Sequence, residues 1–153
     1  MKNKRILLKL SGESLAKENG TGIDYHKLLE IAEKARENSY SPYSNFKVGA
    51  ALLTKSGKVF TGCNVECASF SATNCAERTA FYNAIINSEK DFSKIAVVGG
   101  KGDEITDFCL PCGVCRQVMS EFCNKDFEII CFNGKEVKKF GLDEILPFGF
   151  NLE

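Results

Sequence analysis

Two stretches constrain this chain more than any other feature: TNCAERTA at residues 73–80 and LPCGVCRQV at residues 110–118. Each places cysteine where a helix reads as beginning. Cys112 and Cys115 lie three residues apart in one first turn, which puts both sulfurs on the same face. Pro111, just before them, fixes how the chain runs into that helix. Unpaired N–H groups at a helix start favour anions, so thiols there ionise easily. Two thiolates at this spacing make half of a zinc site. Cys75, at the start of another helix, can supply a third if the two helix N-termini face each other. The fourth metal position then stays open, the mark of a catalytic zinc able to hold water.

Glu77 gives this arrangement a chemical use. It lies close to Cys75 without being obliged to bind the metal, so it can take a proton from water there and deliver it to a substrate nitrogen. Three thiolates on one Zn²⁺ leave net negative charge, which weakens the metal's power to acidify water. Arg78 and Arg116 directly follow the ligand segments, and either can donate hydrogen bonds to the thiolates and withdraw charge.

Composition agrees with a metal reading. The chain has 153 residues, enough for one compact domain, and is 44% hydrophobic and 26% charged. Lys plus Arg and Asp plus Glu number twenty each, so no basic excess points to nucleic acid. The early ILLKL run is too short for a membrane span or a signal-peptide core and is broken by Lys9. A cytoplasmic protein is expected, with no membrane partner. Eight cysteines in a reducing compartment then favour metal binding or catalysis over a disulfide framework.

The apolar pattern predicts the elements. KRILLKL reads as a strand and SGESLAKENGTG as a loop. Asp24 caps a helix with Tyr25, Leu28, Leu29, Ala32 and Ala35 on one face. KVGAALLTK and KVFTGC flank Ser56-Gly57 as a hairpin. NVECASFSATN is a loop. A helix from about Cys75 to Ser88 carries Ala76, Ala80, Phe81, Ala84 and Ile85 on its apolar side. KIAVVGG is a buried strand, residues 112–123 another helix, DFEIICF and KEVKKF two strands around Asn133-Gly134, and LDEILP a short helix. The order predicts an α/β fold, a central mixed sheet with helices on both faces. His26, the only histidine, is expected at the surface.

CAERTA and PCGVCRQV, together with SYSPYSNFKVGAALLTKSGKVFTGCNVE and the terminal ILPFGF, resemble the small, three-cysteine type of cytidine deaminase. The resemblance runs from about Tyr25 to the end. It implies a three-layer fold around a mixed five-stranded sheet, and a zinc-dependent hydrolysis of cytidine and deoxycytidine in pyrimidine salvage. It implies Cys75, Cys112 and Cys115 as zinc ligands and Glu77 as the catalytic acid–base. Phe46 is then the aromatic that packs on the pyrimidine, Asn64 and Glu66 the pair on the ribose hydroxyls, and the backbone around Ala76 part of base-edge recognition. Phe150 is an aromatic given to a neighbouring subunit's site, and a homotetramer follows. The family commonly has asparagine where this chain has Cys67.

Three alternatives stay open. Cys109, in CLPCGVC, can be a fourth zinc ligand that closes the site, or a redox partner of Cys112. Against both, Cys109 precedes Pro111 and lies before the helix, and it is expected to pack, as are Cys63, Cys67, Cys123 and Cys131. The substrate can be another cytosine nucleoside such as blasticidin S, although Asn64-Val65-Glu66 favours a free ribose. Residues 1–23 do not resemble a deaminase. Up to about residue 24, the chain resembles the first strand and phosphate loop of bacterial uridylate kinases, without the rest of a kinase. They are expected to form an appended segment before a deaminase domain at 24–153.

Overall fold

The computed structural model of the chain describes residues 16–17 and 20–152. The KRILLKL strand expected near the N-terminus lies outside them. The elements are β1 (Ala16–Lys17), β2 (Gly20–Ile23), α1 (Tyr25–Arg36), β3 (Phe46–Thr54), β4 (Val59–Cys63), α2 (Ala76–Ile86), β5 (Phe92–Lys101), α3 (Gly113–Phe122), β6 (Glu128–Phe132), β7 (Val137–Gly141) and α4 (Leu142–Ile145). A single 3₁₀ turn, Phe70–Ala72, interrupts the loop before α2.

From α1 onward this is the order the sequence predicts. Of the SGESLAKENGTG stretch expected as a loop, the described residues 16–17 and 20–22 are strand. Ala16 pairs with Ile23 and Lys17 with Gly20 in a two-stranded antiparallel ribbon. The ribbon ends on Ile23, which is buried among Leu28, Leu29, Ala51 and Leu53.

The main sheet is five-stranded in the order β4-β3-β5-β6-β7. β3 runs antiparallel to both β4 and β5, β5 parallel to β6, and β6 antiparallel to β7. The parallel pair is joined through α3, as a parallel connection requires. Side chains alternate across the sheet with period two. Val48, Ala50 and Leu52 of β3, with Ile95 and Val97 of β5, face α2, α3 and α4. Ala51, Leu53, Ala96, Val98 and Ile130 face α1. Both faces are covered, giving three layers.

Small residues set how closely the helices approach. A Cβ at Gly49 would stand 2.0 Å from the Ala32 carbonyl of α1, and one at Gly62 would stand 2.2 Å from the Ala76 carbonyl of α2. The glycines let backbone lie on backbone on opposite faces. The Gly62 contact matters most for chemistry, because it seats the first turn of α2, which carries Cys75 and Glu77. Among the described residues no helix is long and apolar enough to cross a membrane.

Candidate active site

α2 and α3 begin where the sequence requires, with a difference of one residue. Cys75 and Cys112 are the N-caps, and the helices proper start at Ala76 and Gly113. Neither cysteine side chain caps its helix, so both sulfurs are free to point elsewhere. They point at each other. The Cys75 and Cys112 sulfurs are 3.8 Å apart, and those of Cys112 and Cys115 3.6 Å. All three lie within 4.8 Å of one another.

These distances fit zinc. At a Zn–S bond of about 2.3 Å and a tetrahedral angle, two ligand sulfurs are separated by about 3.8 Å. Soft thiolates at two helix N-termini are also the right donor chemistry. Cys115 is buried, Cys75 half-buried and Cys112 exposed, so the cluster reaches solvent on its Cys112 side. The Cys75 thiol is held below its ordinary range, chiefly by a hydrogen bond from Cys115 and also by Arg78 and Cys112. Cys115, which holds the proton in that bond, is raised.

Glu77 is in the first turn of α2 and only 4% exposed. Burial pushes its carboxyl up to about 7, opposed by its own backbone N–H and by the Cys115 thiol. A cation among the sulfurs acts in the same opposing direction. A buried carboxyl two residues from Cys75, with no ion pair among the described residues to neutralise it, is placed for proton transfer.

The two arginines part company. Arg78 Nη2 donates to the Cys75 sulfur at 3.7 Å and to the Thr73 carbonyl at 2.9 Å. It can withdraw charge from a thiolate, as expected. Arg116 is turned elsewhere, with Nε donating to the Pro111 carbonyl at 2.7 Å and Nη1 to the Ile145 carbonyl at 2.6 Å. The reading of Arg116 as a thiolate donor is corrected: it ties the start of α3 to α4. Its partner Ile145 is distant in sequence, so nothing near Cys115 announces this.

Cys109 does not join the cluster; among the described residues the group holds only three sulfurs. Cys109 packs behind Phe46. A Cβ at Gly99 would fall 2.8 Å from the Cys109 sulfur and 3.2 Å from the Phe46 ring, so the missing side chain makes room for both. Burial pushes the Cys109 thiol up to about 12. The Cys131 thiol donates to the Cys109 carbonyl at 3.5 Å and completes this packing.

Asn64 and Glu66 are both buried, at 8% and 5% exposure. Asn64 Oδ1 accepts from Ser39 Oγ at 2.5 Å and Val48 N at 2.8 Å, and its Nδ2 donates to the Phe46 carbonyl at 2.9 Å. Glu66 Oε2 accepts from the Tyr43 and Ser44 amides at 2.9 and 3.2 Å, and Oε1 from the Ser44 hydroxyl. The Ser44 hydroxyl, followed by these amides, holds the carboxyl below its usual range against the cost of burial. Sequence reasoning missed the cradle at Tyr43 and Ser44 because most of it is backbone. Cys67 is exposed, and its amide bonds to Thr73 Oγ1 at 3.2 Å, so the loop's hydrogen bond does not depend on the side chain at that position.

Phe46 opens β3 with its amide on Ser44 Oγ at 3.0 Å. Ala76 is fully buried beside Cys75. Phe150 lies on the C-terminal tail, 67% exposed, with Gln117 donating to its carbonyl at 2.9 Å. His26 is exposed at the start of α1, where its amide bonds the Asp24 cap.

A sheet with helices on both faces, three thiols between two facing helix N-termini and a buried carboxyl beside them are the features of a metal-dependent hydrolase. The sequence matches the cytidine and deoxycytidylate deaminase zinc-binding region over residues 23–131, and the chain belongs to that family. It is 42% identical to a cytidine deaminase of Sporosarcina psychrophila over 132 residues, covering 86% of this chain and 94% of that one. It resembles the crystal structure of cytidine deaminase from Burkholderia pseudomallei with a TM-score of 0.77 and 46% identity, covering 84% of this chain and 100% of that one. It is also 34% identical to a blasticidin-S deaminase of Bacillus cereus over 128 residues, 80% of this chain and 91% of that one.

Proposed function

We propose that this protein deaminates cytidine and deoxycytidine hydrolytically, releasing ammonia and giving uridine and deoxyuridine. The observation that carries the reading is the convergence of the Cys75, Cys112 and Cys115 sulfurs beside the buried Glu77. In the overall reaction one water is consumed at C4 of the base, the C4–N bond breaks, and one ammonia leaves. When bound, zinc supplies the Lewis acidity that makes water nucleophilic at neutral pH. Glu77 takes the proton shed by the attacking water and gives it to N3, then takes the proton of the new C4 hydroxyl and gives it to the departing amine. Arg78 and the two helix N-termini offset the negative charge of three thiolates.

The sugar reading follows from counting hydrogen-bond capacity. An ionised carboxylate has about four acceptor sites, and three of those on Glu66 are taken within the protein. Asn64 likewise keeps one of its two amide protons free. Together they offer one acceptor and one donor, the complement of a single hydroxyl. A site that reads one hydroxyl accepts both ribose and deoxyribose if that hydroxyl is the one they share. Phe46 flanks the base, the backbone at Ala76 meets its edge, and Phe150 reaches a neighbouring subunit's site in a homotetramer. The protein acts in cytoplasmic pyrimidine salvage, and residues 1–23, similar to the start of a uridylate kinase, are an appended segment outside the chemistry.

The similarity to a blasticidin-S deaminase supports a second reading, deamination of that modified cytosine nucleoside. One assay separates them: the fall in cytosine absorbance with zinc-loaded protein on cytidine, deoxycytidine, blasticidin S and CMP. Turnover of the two nucleosides with little on the others supports the first reading. Turnover of blasticidin S alone supports the second, and turnover of none refutes both.

A further inference from the structure

We infer that Ser44 is the positioning residue that aims Glu66 at the sugar, an inference that rests on the proposed sugar contact of Glu66. Ser44 sits in the connection between α1 and β3, just before Asn45, whose φ of 53° turns the chain sharply into the strand. That turn directs the amides of Tyr43 and Ser44 to one carboxylate oxygen, Oε2, at 2.9 and 3.2 Å. Two donors on a single oxygen fix a pivot but leave the second oxygen free to swing.

The Ser44 hydroxyl supplies the missing fixed point. It accepts from the Phe46 amide at 3.0 Å, so its one proton is directed away from that amide and is given to Glu66 Oε1. The acceptor site left on Oε1 then has a defined direction. Phe46 is held on its other side by Asn64, whose Nδ2 donates to its carbonyl. One hydroxyl therefore ties the sugar carboxylate to the residue that flanks the base. Without it, Oε1 gains a second open site and the carboxylate can rotate about its pivot, while Phe46 stays held through its carbonyl by Asn64. Ser44 acts through Glu66 and need not touch the nucleoside.

A purely structural Ser44 would matter equally to every substrate, whereas one that aims Glu66 matters only when a sugar hydroxyl is present. Ser44→Ala and Ser44→Thr are compared with the unaltered protein on cytidine and on 2′,3′-dideoxycytidine, with zinc content and melting temperature measured on each. For cytidine, Ser44→Ala should lower kcat/KM about tenfold, mostly through KM, as expected for one charge-assisted hydrogen bond. For the dideoxynucleoside the change should be under about twofold, and Ser44→Thr should recover most of the cytidine loss. If Ser44→Ala does not accumulate as folded protein, Ser44→Cys is read the same way, since it keeps the volume with a much weaker donor. An equal fall on both substrates, or none on either, overturns the inference. Unaltered protein that turns over both substrates equally well would instead refute the sugar contact on which it rests.

Discussion

Arg36 closes α1, where a basic side chain ordinarily reaches into solvent, yet only 7% of it is exposed. Its guanidinium donates to the carbonyls of Lys47 at 3.1 Å, Asp103 at 3.2 Å, and Gly100, Gly102 and Glu104 at 3.3, 2.7 and 2.7 Å. One side chain thus joins the start of β3, next to Phe46, to the end of β5 and the turn leading towards Cys112. The charge is solvated by carbonyl dipoles. Arg36→Met would keep much of the stem's packing and strand these acceptors. Counting only the three shorter bonds at about 1 kcal/mol each gives roughly 3 kcal/mol, and the uncompensated buried carbonyls raise this towards 4. The relief of dehydrating a cation pulls the other way, so about 3 kcal/mol is the working value. In urea, with m near 2 kcal/mol/M, the midpoint should fall by about 1.5 M at fixed protein concentration and saturating zinc. Arg36→Lys should recover only part of this, because an ammonium cannot reproduce the planar fork. A midpoint for Arg36→Met within about 0.3 M of the unaltered protein, at unchanged m, would refute the reasoning.

Glu77→Gln should keep zinc, measured by metal analysis, and lose about 10³-fold or more in kcat, since one group serves several proton transfers; loss of the metal would show Glu77 to be a ligand. Cys75→Ala, Cys112→Ala and Cys115→Ala should each lose zinc, whereas Cys109→Ala should keep both zinc and turnover; a zinc-free Cys109→Ala protein would restore the closed four-cysteine site. Cytidine and deoxycytidine should have kcat/KM values within about fivefold of each other, because the free capacity of Asn64 and Glu66 matches one hydroxyl; a hundredfold preference for ribose would mean that a second hydroxyl is read. Deleting residues 2–22 should leave zinc content and cytidine turnover near those of the full chain, measured side by side, and neither form should phosphorylate UMP.

The legible part of this molecule was written in side chains at fixed spacing. Cys75, Cys112 and Cys115 could be found because a C-x-x-C turn and a second helix start leave few other uses for thiols beside a glutamate. The apolar run of β3 and the stripe on α1 were equally readable, since a strand covered on both faces and a helix covered on one select for them. What the sequence did not announce was set by tertiary neighbours. Arg36 stands in the last turn of a helix, where a cation ordinarily complements the dipole at the surface, and its carbonyl partners lie far off in sequence. Arg116 adjoins a zinc ligand but is satisfied by carbonyls, one of them from α4. The Glu66 cradle is made mainly of amides, which every residue carries and no sequence pattern marks.

The loop that holds Asn64 and Glu66 is more than a carrier for two side chains. Val65, between them, exchanges both backbone hydrogen bonds with Asn74, at 2.9 and 3.0 Å. On its other edge, Tyr40 N donates to the Asn64 carbonyl at 3.0 Å and Glu66 N to the Tyr40 carbonyl at 2.8 Å. A short three-stranded ladder therefore runs from the α1–β3 connection, through the proposed sugar pair, to the residue before Cys75. Asn74 is secured again by Thr79, whose hydroxyl accepts from Asn74 Nδ2 at 3.0 Å and donates to the Cys75 carbonyl at 3.1 Å. The spacing between the proposed sugar pair and the cysteine cluster is thus set by backbone bonds across a few residues. Bonds of this kind hold a reacting carbon against a nucleophile to within a fraction of an ångström, the tolerance that catalysis by positioning requires. The same economy explains why a loop so close to the chemistry can carry an exposed Cys67: its fixed points are amides and carbonyls, and the side chain at 67 is left free to vary.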